Sequence, residues 1–497
     1  MERKFNDQEL YRRKKLQNLV DKNNDPFLID KFDRTHNSAT FKEEFDKFEK
    51  EQLHDNTTEI KIAGRVLALR QSFGVIKDFN GKVQFYINKK NENAWDVFTN
   101  YLDIGDIVGI KGTPMKTNTG EVTVKVGEIT ILSKSLKVLP EKFHGLVNEE
   151  ERARQRYVDL IINDNSLSTF VIRSQLANVW RNYLCNEQQF LEVDTPVLQS
   201  IYGGASAKPF ITHHNALNAD LYLRIAPELP LKKLIVGGFE KVFEFSRNFR
   251  NEGVDTTHNP EFTGFELYWA FVSLKEIMDL TEKMFKISAK FLNKDVYKFR
   301  GYDIDLSKPF IRKSMIEIIK EACGVDFEKI NTDEEALEIA KQHHIDLLPH
   351  QKIRGHIIVA FFEKYGEETC IQPTFVHTYP VESSPLTKKN AKDSRYVDRF
   401  ELFIGTKEFA NAYSELNDPI EQLQRFEEQV AESEKSKGND SYEGWSSEID
   451  MDFINAMEYG LPPTGGLGIG FDRFCMLMCE KDSIRDVLLF PQMKHEK

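Results

Sequence analysis

The period of the hydrophobic pattern changes along the chain. Over residues 1 to about 50, Leu10, Leu16, Leu19, Phe41, Phe45 and Phe48 are spaced among charged residues. That spacing predicts one or two amphipathic helices around an irregular stretch at Asn23-Asn24-Asp25-Pro26. From Thr58 to about Leu139 short β-rich runs take over: Glu59–Leu69, Val83–Ile87, Asp106–Gly112, Glu121–Val126 and Glu128–Leu132. Asn80-Gly81 and Asn118-Thr119-Gly120 supply turns between them. Five short strands and one helical stretch, Ala94–Tyr101, fit a small β-barrel of the oligonucleotide-binding type. A bridge carrying Arg152, Arg154 and Arg156 follows. From Ser166 onward the pattern is that of one large α/β block. It has a helix to about Cys185, a strand ending in Val193-Asp194-Thr195-Pro196, strands at Tyr222–Ile225 and Lys241–Phe249, and a helical insertion at about 314–365. The expected organisation is therefore an α/β multidomain chain: a helical extension at 1–56, a five-stranded barrel at 57–140, a bridge at 141–165 and an α/β domain at 166–497.

Composition narrows the class. The 497 residues are 40% hydrophobic and 11% aromatic, a globular balance. No run approaches the roughly 20 apolar residues of a membrane-spanning helix, and Met1-Glu2-Arg3-Lys4-Phe5 lacks the apolar core of a secretory signal. The five cysteines form no Cys-x-x-Cys pair, which suits a reducing cytoplasm. Cys475 and Cys479, one helical turn apart in an apolar run, read as core residues. A net charge of −12 argues against a general nucleic-acid coat protein, but binding depends on local patches. Arg12-Arg13-Lys14-Lys15 is one such patch, or else the solvated face of a surface helix.

Three stretches carry candidate chemistry. In Phe249-Arg250-Asn251-Glu252-Gly253, followed by His258-Asn259-Pro260-Glu261-Phe262, an arginine ends a strand and a short loop leads into the next, Phe265–Trp269. Such an arginine can set its planar fork on carboxylate or phosphate oxygens; a hairpin with surface ion pairs would look the same. In Gly465-Gly466-Leu467-Gly468-Ile469-Gly470-Phe471-Asp472-Arg473, a glycine-rich loop before a helix allows close backbone approach to a ligand. It is not a Walker loop, since no Gly-Lys-Ser/Thr follows. The third stretch, Asp398–Ile404 and Lys407–Asn417, alternates with period two and predicts two strands. Glu401 and Glu408 offer hard oxygens for Mg²⁺, and Asn411, Tyr413 and Glu415 share one strand face. A half-exposed sheet face is the plainer alternative.

Taken together and in this order, the three stretches resemble the signature motifs of class II aminoacyl-tRNA synthetases. Longer strings narrow the resemblance to lysyl-tRNA synthetases of the bacterial type: Gly203-Gly204-Ala205-Ser206-Ala207-Lys208-Pro209-Phe210, Leu223-Arg224-Ile225-Ala226-Pro227-Glu228-Leu229 and Glu458-Tyr459-Gly460-Leu461-Pro462-Pro463-Thr464. Lys142-Phe143-His144-Gly145-Leu146 and Arg154-Gln155-Arg156-Tyr157 look like that family's interdomain bridge. Pro230 departs from a usual tyrosine, Gly466 from a usual alanine, and the barrel turn at Arg70–Phe73 is short.

The resemblance implies an N-terminal five-stranded oligonucleotide-binding barrel and a class II catalytic domain built on an antiparallel sheet flanked by helices. It implies activation of L-lysine by ATP with Mg²⁺, transfer to tRNA(Lys), and a cytoplasmic homodimer with no membrane association. By the same resemblance, Arg250 contacts the substrate carboxylate and α-phosphate. Glu252, His258 and Phe262 seat ATP, Arg473 contacts the γ-phosphate or the purine, and Glu401 and Glu408 hold Mg²⁺. Gly204 and Glu228 take the lysine α-amino group and Asn411 its carboxylate. Tyr268 and Glu415 take the ε-ammonium, supported by Glu266, with Tyr413 in the same pocket. Phe73, Gln84 and Glu128 read the anticodon by stacking and hydrogen bonds.

An aspartyl- or asparaginyl-tRNA synthetase shares this architecture, but an aspartate pocket needs cations where Glu228, Glu266 and Glu415 stand. A lysyl-transfer enzyme acting on protein would resemble the catalytic domain alone. A non-catalytic tRNA-binding relative would be expected to have lost an arginine or a metal carboxylate, and every matched position is occupied.

Overall fold

The computed structural model describes residues 4–140, 146, 148–205, 207–348, 351–435 and 448–494. The chain divides into two compact units, Met1–Val147 and Asn148–Lys497. Most of the Lys142–Leu146 string, and Ser206, lie outside the described residues.

The first unit is a closed barrel of β1 (Ile60–Arg70), β2 (Phe73–Lys77), β3 (Lys82–Tyr86), β4 (Ile107–Lys116) and β5 (Val122–Ser133), in the order β1-β2-β3-β5-β4. Ile60, Ile62, Val83, Phe85, Val108, Ile110 and Val124 alternate inward to fill it. The strand count of five holds, but two strands differ from expectation. Glu121–Val126 and Glu128–Leu132 are one strand, β5, because Gly127 is a bulge: Lys111 pairs with Glu128 and Gly112 with Val126. The expected list omits β2, which follows β1 across a two-residue turn with Gln71 at φ 54°.

Among the described residues three α-helices precede the barrel, Asp7–Asp21, Ser38–Phe45 and Lys50–His54, rather than one or two. The basic run on the first is not a uniform solvated or ligand-binding face. Arg12 and Lys15 are buried; Arg12 donates to the Ser135 and Lys137 carbonyls, and Lys15 pairs with Asp103 at 2.9 Å. A guanidinium and an ammonium here clamp the helix to the barrel, which is why apolar periodicity on it is weak.

The second unit is organised by an eight-stranded sheet. Its strands are β6 (Leu191–Glu192), β10 (Lys241–Phe249), β11 (Glu261–Ala270), β14 (Ile311–Ser314), β15 (Thr374–Pro380), β16 (Tyr396–Ile404), β17 (Lys407–Ser414) and β18 (Thr464–Gly470). Small sheets complete the count: β7 (Leu198–Gln199), β8 (Ile211–His214) and β9 (Ala219–Leu223), and the hairpin β12 (Val296–Phe299) and β13 (Tyr302–Asp305). The large sheet runs β14-β15-β16-β17-β18-β11-β10-β6, antiparallel except at its two outer pairs. One face packs on the helices Asp164–Asn182, Leu274–Phe291 and Phe471–Met478. Trp180, Phe243, Phe265, Phe285 and Phe474 are fully buried there, each phenylalanine worth roughly 1.5–3 kcal/mol on removal from water. Cys475 lies in this core and Cys479 is half-buried beside it. The stretch 314–365 holds the helices Met315–Cys323, Asp333–Gln342 and Arg354–Phe361 around a separate core.

Several expected boundaries move. The strand before Pro196 is only the two residues of β6, and β9 ends at Leu223, short of Ile225. The glycine-rich segment is not a loop but the central strand β18. Two of the three bridge arginines are internal fasteners: Arg152 and Arg156 both bind the buried Asp159, at 3.0 and 2.6 Å.

Candidate active site

The floor of the site follows from the register of three strands. β18 lies between β11 and β17, so Gly466 sits between Tyr268 and Tyr413, and Gly468 between Glu266 and Asn411. Leu467 and Ile469 point the other way, into the core. The glycines leave bare backbone between two rows of polar side chains, and a cavity of about 600 Å³ opens above it. A methyl group on Gly466 would collide with Glu415 Oε1, so glycine at this position and the inward Glu415 go together. Gly204, at φ 85°, is held in the left-handed region, and a Cβ there would sit 2.9 Å from that of Glu228.

Gly204, Glu228, Arg250, Glu252, His258, Phe262, Glu266, Tyr268, Glu401, Glu408, Asn411, Tyr413, Glu415 and Arg473 all line this one cavity. The expected residues of the catalytic block are thus brought together from segments nearly 270 positions apart in the chain.

One end of the cavity is acidic. Glu228 opens the helix Glu228–Val236, where Pro230 stands in the first turn and costs no hydrogen bond. Tyr413 donates to Glu228 Oε1 at 2.6 Å, and Tyr268 donates to Glu266 at 3.2 Å. Glu415 is 1% exposed. Among the described residues its Oε1 has no hydrogen-bond partner, while its Oε2 abuts the Lys232 ammonium. Burial, reinforced by Glu228, pushes Glu266 up to about 8. Burial likewise pushes Glu415 up to about 8, against the pull of Lys232 and with the push of Glu228 and Glu266. A cationic group entering here would meet carboxylates that regain their charge by pairing with it.

The other end is mixed. Arg250 follows β10, its N–H bonded to the Pro260 carbonyl at 2.8 Å, and its guanidinium lies 5.1 Å from the Phe262 ring centroid. Arg473 enters from the first turn of the helix after β18 and donates to the Glu408 carbonyl. Asp472 anchors that turn, accepting from Thr263 N–H at 2.7 Å and pairing with Arg173 at 2.5 Å. His258 is exposed and held by Asp255 at 2.8 Å. Glu408 is pushed up to about 7 by burial and by Glu401, against the pull of Arg473, Arg399 and Arg250. Hard oxygens in such a pair suit Mg²⁺ held partly by phosphate and water. Among the described residues no cluster of three or more ligating side chains forms a closed protein cage. Glu401 is already engaged by Arg399 at 2.5 Å and Tyr379 at 2.8 Å, so it has spare lone pairs rather than a free carboxylate.

Sequence reading missed Arg399 and Lys232. Arg399 binds Glu401 and the Asn411 Oδ1, the latter at 3.0 Å, and the Ser384 hydroxyl at 2.9 Å. It therefore orients the Asn411 amide so that its N–H₂ is the donor left for the cavity. Its neighbours in Asp398-Arg399-Phe400-Glu401 offered a signal: Arg399 and Glu401 share a strand face by period two. Lys232 lies one helical turn after Glu228, an i,i+4 spacing visible in the sequence.

On the barrel, Phe73 pairs across β2 and β3 with Tyr86, ring centroids 5.0 Å apart. Gln84, two residues before Tyr86, lies on the same outer face and accepts from Thr123 Oγ1 at 2.9 Å. Glu128 is exposed after the bulge and pairs with Lys111 at 2.9 Å. An aromatic pair with polar neighbours on an open barrel face is suited to unstacked bases.

An antiparallel-rich sheet carrying such a cavity, in a chain that also contains this barrel, is the architecture of a class II aminoacyl-tRNA synthetase. Residues 148–494 match the family described as tRNA synthetases class II (D, K and N), and residues 60–132 match the OB-fold nucleic acid binding domain. The lysine–tRNA ligase of Ureaplasma parvum serovar 3 is 56% identical over 498 residues, covering 99% of each chain. Those of Malacoplasma penetrans and Staphylococcus epidermidis are 54% and 50% identical, covering 100% of both chains. The chain belongs to the lysine–tRNA ligase family of class II synthetases.

Proposed function

We infer that this chain activates L-lysine with ATP, forming lysyl-adenylate and pyrophosphate, and then transfers lysine to the 3′ end of tRNA(Lys) with release of AMP. The observation that carries the lysine assignment is the buried acidic end of the cavity: Glu228, Glu266 and Glu415 converge where a side-chain ammonium would need charge.

In the first step a lysine carboxylate oxygen attacks the ATP α-phosphorus in line, and the bond to pyrophosphate breaks. Arg250 at the strand end takes the carboxylate and α-phosphate, and Asn411 donates to the carboxylate. Phe262 stacks on adenine, Glu252 and His258 seat the nucleotide, and Arg473 takes the γ-phosphate or the purine. Gly204 and Glu228 hold the α-ammonium; Tyr268 and Glu415 hold the ε-ammonium, with Glu266 and Tyr413 behind them. Glu401 and Glu408 are the residues that would hold Mg²⁺, which supplies charge neutralisation on the phosphates. In the second step the terminal ribose 3′-hydroxyl attacks the adenylate carbonyl. No side chain needs to act as a nucleophile; positioning and fixed positive charge carry the rate.

The barrel is assigned to the anticodon, with Phe73 as stacking surface and Gln84 and Glu128 as base-edge partners. A homodimer forms through the helix Asp164–Asn182 and the segment to Pro196, around which Leu191, Leu198 and Ile211 are exposed apolar side chains. The site of action is the cytoplasm, whose reducing conditions suit five free cysteines.

ATP–pyrophosphate exchange tests the reading. Exchange is expected with L-lysine and Mg²⁺ and without tRNA; exchange that instead requires aspartate or asparagine would end the lysine assignment.

A further inference from the structure

Lys232 has no part in the roles above, yet its ammonium is fully buried at the acidic end of the cavity. Its Nζ lies 2.5 Å from Glu228 Oε1 and against Glu415 Oε2. The rings of Tyr413 and Phe453 cover it at 5.5 and 5.9 Å. It therefore bridges the carboxylate assigned to the substrate α-ammonium and the one assigned to the ε-ammonium. Glu266 is the third acidic group at this end. Glu244 nearby is already paired with Arg224 at 2.6 Å, and Arg250 and the phenols of Tyr268 and Tyr413 complete the ionisable surroundings.

We propose that Lys232 is a specificity-determining positioning residue: its resident ammonium and the two ammonium groups of a bound lysine together match the three carboxylates Glu228, Glu266 and Glu415. The inference rests on the assignment of Glu415 to the lysine ε-ammonium. Without substrate, three carboxylates face one buried ammonium at this end of the cavity, and protons make up the difference. Glu266 and Glu415, raised by burial, are the groups that hold them. With lysine bound, three positive groups meet three negative ones. With a neutral side chain, one carboxylate stays unpaired or protonated, so desolvation of the pocket is compensated only for a cationic side chain. Lys232 also holds Glu228 and Glu415 apart from one another, so each keeps one face toward the cavity.

Glu415→Gln leaves two carboxylates against Lys232 and both substrate ammonium groups, one positive charge too many. Removing the Lys232 charge as well restores the match. Equilibrium binding of lysine and of ATP should be measured separately for the parent, Glu415→Gln, and Glu415→Gln/Lys232→Met. Lysine binding is expected to weaken by about two decades or more in Glu415→Gln, as for a broken buried pair, and to recover by about a decade or more in the double variant. ATP affinity stays within a few fold throughout. If Glu415→Gln binds lysine as the parent does, the ε-ammonium assignment is what fails. If Glu415→Gln is weakened and the double variant is no better while binding ATP normally, the role of Lys232 is overturned. Should the double variant lose ATP binding too, calorimetry of lysine binding to the parent at pH 7, in buffers of different ionisation enthalpy, decides. Release of about two protons per lysine, the difference between three carboxylates and one ammonium, supports the count, and no release overturns it.

Discussion

Lysine differs from a neutral amino acid of similar length by one ammonium, so selectivity should collapse when its counter-charge is removed. Glu415→Gln keeps the shape and removes the charge. The carboxylate is buried: Glu415 is 1% exposed and its Oε1 has no partner among the described residues. At about 4 Å and an effective dielectric near 20, one such pair is worth roughly 4 kcal/mol. Breaking buried pairs costs on the order of 3–5 kcal/mol. The expected loss in kcat/KM for lysine is therefore about two to four decades. Steady-state pyrophosphate exchange with lysine varied at saturating ATP reads it directly. The KM for ATP should hold within a few fold, since Arg250, Phe262 and Arg473 are untouched. A lysine KM within a few fold of the parent would mean that Glu415 is a structural carboxylate and that the cavity's acidic end does not select the substrate.

The raised carboxylates give a pH dependence of definite sign. Glu266 and Glu415, both near 8, are largely protonated at pH 6, and a cation binds their ionised forms; lysine affinity should rise by up to about tenfold per pH unit for each proton released between pH 6 and 8. A flat dissociation constant across that range would refute it. Gly204→Ala forces a side chain into a left-handed backbone and against Glu228. The lysine KM should rise about tenfold with ATP unaffected, as expected for roughly 1–2 kcal/mol of strain, and equal losses for both substrates would point to general misfolding instead. Gln84→Ala and Glu128→Ala should each lower tRNA charging by about 1–3 kcal/mol in kcat/KM, as for a lost base-edge contact, and leave pyrophosphate exchange unchanged; equal loss in both assays would assign the barrel to structural support. Light scattering should report a dimer at working concentration, and an active monomer would contradict the pairing through residues 164–196.

Much of the fold could be read because each element repeats a local rule. Lys241–Phe249 is β10 with the bounds expected, and Asp398–Ile404 lies within β16 as period two requires, whereas the strand expected over Lys407–Asn417 stops at Ser414 and leaves Glu415 on an isolated bridge to Thr387. The failures arise where a local signal has two readings. Glycines beside a helix signal a phosphate loop or a flat strand, and only pairing on both sides makes Thr464–Gly470 the latter. Gly127 looked like a break between strands and is a bulge within one. Arg12 and Lys15 looked like surface because charge usually is surface, whereas Asp103 and the Ser135 and Lys137 carbonyls give them buried partners.

The same asymmetry governs the cavity. Its carboxylates and Arg250 stand out because motif order and alternation mark them. Lys232 and Arg399 do not, because each earns its place through partners on other elements: Lys232 through Glu415, 183 positions later in the chain, and Arg399 through Asn411 across a strand pair. An acidic pocket read from motifs alone therefore carries too much negative charge, and an aminoacylation pocket built only from Glu228, Glu266 and Glu415 would be expected to prefer ligands with one more positive charge than lysine has. The buried ammonium of Lys232 removes that excess. Selectivity at this site is thus a property of the sum over both signs, and the residue that sets the sum is one that the substrate need never touch.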